Sequence, residues 1–272
     1  MSLVNKIAVA LTIAGSDPSG GAGVQADLKT FHQHRVYGMS AITLVTVQNT
    51  VGVSRVELLS PELIAQQLEA VLLDIPPDAV KTGALGGIAA IEVIAAARFN
   101  CPLIVDPVMI SKHGAPLMAE AAREALKTLL LPRATLVTPN LHEAEAITGM
   151  VVDSVESMKE AARRILGMGS KAVLVKGGHL EGDAIDVLLA DGVFTEFCSV
   201  RFPTQHTHGT GCTYSAAITA LTARGLGLVE AVSAAKNFIT EAIRTAPGLG
   251  SGSGPVNHLA GSIYAFDTIK VS

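Results

Sequence analysis

Apolar residues along this chain fall into two kinds of segment that alternate. Short, nearly unbroken runs occupy 7–14, 40–47, 79–82, 102–105, 135–138 and 171–175. Their length and β-branched content predict strands buried on both faces. Longer stretches rich in Ala, Leu and Ile occupy 24–34, 61–73, 87–98, 119–130, 141–148, 155–168, 213–224 and 229–246 and predict helices. Pro61 suits the first turn of its helix, where no amide donor is needed. Late in the chain, 184–190 and 193–198 flank Asp191-Gly192, the dipeptide of a tight hairpin. Residues 248–255 are rich in Gly and Ser and predict a loop. The alternation gives an α/β fold, a mostly parallel central sheet covered on both faces, with the hairpin as an antiparallel edge. No Pro- or Ser-rich linker breaks the pattern, so 1–272 reads as a single domain.

The apolar runs end on polar or glycine groups: Gly15-Ser16-Asp17, Gln48-Asn49, Lys81-Thr82-Gly83, Asp106-Pro107, Pro139-Asn140 and Lys176-Gly177-Gly178-His179. In sheets of this kind ligands bind beyond the carboxyl ends of the strands. Loops are polar in any protein, but a rim that gathers Lys, Asp, Asn and Glu together asks for a further reason.

Composition narrows the class. Of 272 residues, 49% are hydrophobic and only 16% charged, which favours a deeply buried core. The net charge is −4 and no basic cluster follows a phosphate backbone, which argues against nucleic-acid binding. The run 7–14 is too short to cross a membrane. Gly15-Ser-Asp-Pro follows it where a signal peptide would carry a small-residue cleavage site. Cys101, Cys198 and Cys212 are few and scattered, which suits a reducing, cytoplasmic setting without disulfides.

The chemistry concentrates in His208-Gly209-Thr210-Gly211-Cys212, directly before the helix at 213–224. A helix N-terminus offers unpaired amides and the positive end of a dipole to an anion, and glycines let the backbone approach it. The same field should lower the Cys212 thiol pKa and make a thiolate available as base or nucleophile. Together with two lysines, Lys112 and Lys176, and an acidic pair, Asp106 and Glu143, the set suits phosphoryl transfer, which needs positioning and charge neutralisation. Magnesium would need only one or two carboxylates with waters and phosphates. A Walker lysine and a Gly-x-Gly-x-x-Gly loop are both missing. The same five residues also read simply as a turn and the packed start of a helix.

The chain resembles the hydroxymethylpyrimidine/phosphomethylpyrimidine kinases of thiamine biosynthesis, in the ribokinase-like superfamily. The resemblance runs from end to end. It is carried by Leu11-Thr-Ile-Ala-Gly-Ser-Asp-Pro-Ser-Gly-Gly-Ala-Gly23, Gln25-Ala-Asp-Leu-Lys-Thr30, Val47-Gln-Asn-Thr50, Lys81-Thr-Gly83 and Asp106-Pro-Val-Met109. Thr138-Pro-Asn140 with Glu143, Lys176-Gly-Gly-His179, His206-Thr-His-Gly-Thr-Gly-Cys-Thr213 and Gly254-Pro-Val-Asn-His258 complete it. Most ribokinase-like enzymes place Asp where this chain has Cys212. The resemblance implies a three-layer α/β/α sandwich, ATP with Mg²⁺, a homodimer, and two successive phosphorylations of a small-molecule pyrimidine. It implies that Gln48 holds the aminopyrimidine edge, with Gly15, Asp27 and Val108 lining the pocket. Gly209, Gly211 and Cys212 would form an anion hole, with Cys212 also deprotonating the substrate hydroxyl. Lys176, Asn140 and Thr210 would serve the nucleotide, and Asp106 and Glu143 the metal. Ala84 departs from the pattern, since the family often has Met there.

Two rival readings use the same residues. A pyridoxal or pyridoxine kinase shares the scaffold and a flat hydroxymethyl heterocycle; Gln48, able to donate and accept together, favours the aminopyrimidine. A zinc site or thiol hydrolase built from His206, His208 and Cys212 has the right ligand types but leaves the lysine and Asn-Glu positions unexplained. Outside these, His32 and His34 read as an exposed helix end, and Cys101 and Cys198 as small packing groups. The glycine-rich 111–114 reads as a flap.

Overall fold

Strand β1 (Val9–Ser16) is buried from Ala10 to Gly15 because it has a parallel partner on each side, β2 (Tyr37–Gln48) and β4 (Ala79–Thr82). The computed structural model describes residues 6–110, 117–178 and 182–261. Beyond β4 the parallel array continues through β5 (Leu103–Val105), β6 (Leu136–Val137) and β7 (Ala172–Lys176). The predicted hairpin, β8 (Ala184–Ala190) and β9 (Val193–Ser199), closes this side antiparallel, with Ala190 opposite Val193 across the Asp191-Gly192 turn. The other edge is also antiparallel, through β3 (Val53–Leu58), giving the order β3-β2-β1-β4-β5-β6-β7-β8-β9. The sequence pattern does not announce β3. It is short, carries Ser54, Arg55 and Glu57, and buries none of its residues.

Side chains alternate between two helical layers. Leu11, Ile13, Val80, Leu103, Val105, Val137, Val173 and Val175 point into one core with α2 (Pro61–Asp74), α3 (Ile88–Ala96), α5 (Leu141–Thr148) and α6 (Val155–Leu166). The stretch 119–130 joins that layer as α4 (Glu120–Ala125), which widens into a π turn over Leu126–Leu130. On the opposite face Ala10 meets Phe31, Ala216 and Ala220, while Ile104, Leu136, Ala172 and Leu174 meet Tyr214, Ile218 and Phe238. These come from α1 (Gly23–Gln33), α7 (Thr210–Ala223) and α8 (Leu228–Arg244). Each Leu, Ile or Val so buried contributes about 1.5–3 kcal/mol. The result is the expected three-layer α/β/α sandwich. Helix α7 is buried without a break from Thr213 to Leu221, wedged between the sheet and its neighbours α1 and α8. That fixes its N-terminus relative to the strand ends. His34, expected on an exposed helix end, is buried instead and stands edge-on to Phe238, ring centroids 4.6 Å apart. No helix among the described residues is long and apolar enough to cross a membrane.

Candidate active site

The carboxyl ends of β1, β2, β4, β5 and β7 and the N-termini of α5 and α7 surround one cavity of about 890 Å³. Strand alternation decides what β2 shows it. Leu44, Thr46 and Gln48 line the cavity, and Val45 and Val47 between them face outward, 41% and 54% exposed. Gly15 at the end of β1 and Val108 after β5 complete that wall. A Cβ on Gly15 would lie 2.5 Å from Leu44 Cδ1, so the wall is flat only because the residue is glycine.

The phosphate end is built on α7. The helix starts at Thr210, three residues before the apolar pattern predicts, with Gly209 as its N-cap at φ 77°. A side chain at Gly209 would be strained, and its Cβ would overlap the carbonyl oxygen of Gly21. Gly211 and Cys212 follow in the first turn, where no preceding helical carbonyl takes their amides. The Thr210 hydroxyl donates back to Thr207 O at 2.7 Å. Lys176 arrives from the end of β7, and a Cβ on Gly211 would stand 3.3 Å from its Nζ. Any larger residue there would come between the ammonium and the helix N-terminus.

Asp106 ties these elements together. Its Oδ1 accepts from Lys176 Nζ at 2.9 Å and from the Thr138 hydroxyl at 3.2 Å. Its Oδ2 lies 3.0 Å from the Ser215 hydroxyl, one turn along α7. Burial would raise its pKa, but the charges of Lys176 and Lys81 outweigh burial and hold it below the usual carboxylate range. Lys176 likewise resists the pull of its burial. Asp106 and Glu143 keep it protonated above the ordinary lysine value. Asn140 and Glu143 form a reciprocal capping box at the start of α5, with Glu143 N donating to Asn140 Oδ1 at 2.9 Å and Asn140 N donating to Glu143 Oε2 at 2.8 Å. They therefore hold each other as well as face the cavity. Burial raises Glu143 to about 7, with Lys176 pulling down and Asp106 pushing further up.

Two expectations need correction. Asp27 does not line the pocket. It is fully buried on the inner face of α1, where its Oδ2 accepts from Thr12 Oγ1 at 2.6 Å and pairs with the equally buried Lys81 Nζ at 3.0 Å. Nor is the Cys212 thiol pKa lowered. Desolvation pushes it up to about 11, and although Lys81 and an amide from Gly23 favour the thiolate, Asp27 and Asp106 add to the rise. The helix N-terminus is present as expected, but burial wins.

Sequence reading missed several members of the site. Asp17 pairs with His208, its Oδ2 2.7 Å from Nε2, and both line the cavity. Thr138 and Ser215 brace Asp106 from behind. At the far end of the cavity Lys236 Nζ donates to Asp186 Oδ2 at 2.7 Å, while Asp186 Oδ1 accepts the amide of Gly177 beside Lys176 at 3.0 Å. Of these, Asp17 lies within a strand-end motif and Thr138 directly precedes one, whereas Ser215 and Lys236 carry no local signal. Lys112 and the 111–114 flap fall outside the described residues, as does His179. The zinc reading finds no ligand cluster among the described residues. His206 Nδ1 accepts from Gly254 N at 3.2 Å, His208 is committed to Asp17, and no group of three or more His, Cys, Asp or Glu among the described residues could hold a metal ion. Cys198 is exposed rather than packed.

A family model described as phosphomethylpyrimidine kinase matches residues 17–257. The hydroxymethylpyrimidine/phosphomethylpyrimidine kinase of Bacillus subtilis is 50% identical over 257 residues, 92% of this chain and 94% of that one. A Bacillus subtilis pyridoxal kinase, solved as an ADP complex, is similar with a TM-score of 0.88 at 40% identity, over 94% of this chain and 98% of that chain. The phosphomethylpyrimidine kinase of Clostridium difficile is similar with a TM-score of 0.78 at 48% identity, over 88% of this chain and all of the other.

Proposed function

The chain belongs to the phosphomethylpyrimidine kinase family, and from that premise we propose a two-step activity in thiamine biosynthesis. It phosphorylates 4-amino-5-hydroxymethyl-2-methylpyrimidine with ATP to the monophosphate, then phosphorylates that product to the diphosphate. The observation that carries this is a single cavity of about 890 Å³ that joins the neutral amide of Gln48 to the amides of Gly211 and Cys212 and the ammonium of Lys176. That volume accommodates a small heterocycle and a nucleotide together.

Gln48, Gly15 and Val108 form a flat, uncharged wall for the ring, and the Gln48 amide donates and accepts along its edge. The hydroxymethyl group then points to the start of α7. In phosphoryl transfer, charge spreads over the three equatorial oxygens of the group in flight. The helix N-terminus, Lys176 and the amides of Gly211 and Cys212 stabilise that charge without reorganising. Thr210 and Asn140 flank the same end and serve the nucleotide phosphates. Asp27 acts from behind the wall, by holding Lys81 under the floor.

The carboxylates of Asp106 and Glu143 supply hard oxygen donors, and Glu143 is raised in part by the neighbouring Asp106 charge, so the pair suits a hard divalent cation that keeps most of its waters. Bound there, Mg²⁺ would neutralise phosphate charge. Lys176, paired with Asp106 at 2.9 Å, exchanges it for phosphate oxygens as a point charge.

The two transfers make different demands on Cys212. In the first, the acceptor is an alcohol whose proton must leave, and the small thiolate fraction of Cys212 takes it, returning to the thiol. In the second, the acceptor is a phosphate monoester, with a second pKa of about 6, that is already ionised at neutral pH. Only the first step needs a base. A homodimer and a cytoplasmic location belong to the same proposal, with outward-facing Val45 and Val47 as apolar surface available to a second copy.

A side activity on pyridoxal is favoured by one feature of the wall, the small Ala84, which leaves room for a bulkier ring. Comparing kcat/KM on the aminopyrimidine and on pyridoxal tests the assignment. A higher value for the aminopyrimidine is expected, and the reverse order would make the chain a pyridoxal kinase.

A further inference from the structure

Three donors converge on Asp17 Oδ2: the Ala22 amide at 2.9 Å, the Ser19 hydroxyl at 3.0 Å and His208 Nε2 at 2.7 Å. The carboxylate is therefore the acceptor in each, and His208 carries a proton on Nε2. The ring cannot turn away. It is 3% exposed, its Cδ2 lies where a Cβ on Gly21 would collide, and its backbone is bonded on both sides, His208 N to Gly254 O at 3.0 Å and Val256 N to His208 O at 3.3 Å. The same Nε2 lies 3.2 Å from the position assigned to the Gln48 amide nitrogen, Nε2. Two N–H groups cannot bond each other, so the amide end facing His208 is its carbonyl oxygen, and the NH₂ occupies the other position.

We infer that His208, fixed by Asp17, sets the orientation of the Gln48 amide and so selects a ring nitrogen flanked by an exocyclic amino group. This rests on the pyrimidine-kinase reading and deepens it. The Gln48 oxygen has two lone pairs. One takes the longer, 3.2 Å branch of the single His208 Nε2–H, whose 2.7 Å branch goes to Asp17, and the other is left for the amino group of the ligand, while the amide NH₂ donates to the ring nitrogen. The register is directional, with the amino group on the His208 side. A hydroxypyridine whose ring nitrogen and hydroxyl are separated by a substituted carbon cannot match both positions. His208 thus acts through Gln48 as a positioning and specificity-determining residue, while Asp17 acts one step further back.

A double-mutant cycle tests it, with kcat and KM measured on the aminopyrimidine and on pyridoxal, and Kd for ADP by calorimetry. His208→Leu should raise KM for the aminopyrimidine about tenfold, the effect of one unsupported buried hydrogen bond. kcat and ADP affinity should change little, so preference for the aminopyrimidine falls by a similar factor. His208→Gln places an N–H near the lost Nε2–H and should restore most of the preference. In a Gln48→Ala background His208→Leu should cost nothing further. If His208→Leu costs as much in that background as in the wild type, or lowers ADP affinity and kcat in parallel, the histidine acts through folding and the inference fails. A wild-type enzyme without turnover on the pyrimidine would instead count against the parent reading.

Discussion

Replacing Cys212 by Ala separates the two phosphorylations. The thiol is pushed up to about 11, so at pH 7 about one molecule in 10⁴ carries a thiolate, an ionisation that costs about 5 kcal/mol. A base acting from that small fraction should leave a mark on the pH profile. First-step kcat/KM should climb by nearly tenfold per unit between roughly pH 8 and 10 in the wild type. Cys212→Ala should flatten this rise and lower the first step by about 10²-fold or more, the usual contribution of a positioned base. The second step starts from an ionised phosphate and should stay within about fivefold of wild type. The assay supplies the alcohol or the monophosphate separately and follows ADP release. Iodoacetamide at neutral pH should label exposed Cys198 well before Cys212, which mass spectrometry of the peptides would show. Equal losses in both steps, or a folded Cys212→Ala variant with a near-normal first step, would refute the base assignment and leave the helix N-terminus and Lys176 to carry catalysis.

Gln48→Ala should weaken pyrimidine binding by about one to two decades and leave ATP binding unchanged, as read by calorimetry; equal losses would mean that Gln48 acts through folding. Lys176→Ala should raise KM for ATP and lower kcat, and unchanged values for both would remove its phosphate role. Glu143 is a carboxyl whose folded pKa is raised, so its contribution to stability is complete below its unfolded pKa and is lost as the pH rises through about 7. Glu143→Gln keeps an acceptor for the Asn140 amide and should therefore gain Tm relative to wild type on going from pH 5 to pH 9, by about 2–4 °C per kcal/mol; a Tm difference independent of pH would contradict the raised pKa.

Much of the architecture is legible along the chain because period and punctuation agree. β4, α5 and β8 have the bounds that their apolar runs predict, and Asp191-Gly192 marks its hairpin without help from tertiary contacts. β3 is hidden because an edge strand with both faces partly wet has no apolar run to show. The start of α7 is hidden because Thr210, Gly211 and Cys212 are poor helix formers, and their conformation depends on Gly209 meeting Gly21. Site residues were legible as types at strand ends and less so as partners. Asn140 and Glu143 show the spacing of a capping box, yet the chemistry of the rim draws attention to ligands first. Asp27 lies on the same face of α1 as Val24 and Phe31, a spacing that fixes an inward direction without saying whether a cavity or a lysine waits there. For Cys212 the helix dipole is visible in sequence and the desolvation that outweighs it is not.

The central claim is that one cavity phosphorylates an alcohol and then its own phosphorylated product. Phosphorus NMR of a single reaction containing the enzyme, ATP, Mg²⁺ and the hydroxymethylpyrimidine tests it most directly. The account predicts a monophosphate resonance that rises first and then gives way to the paired resonances of a diphosphate ester, with two ADP formed per pyrimidine consumed. A reaction that stops at the monophosphate with ATP in excess, or that forms no pyrimidine phosphate, would contradict it.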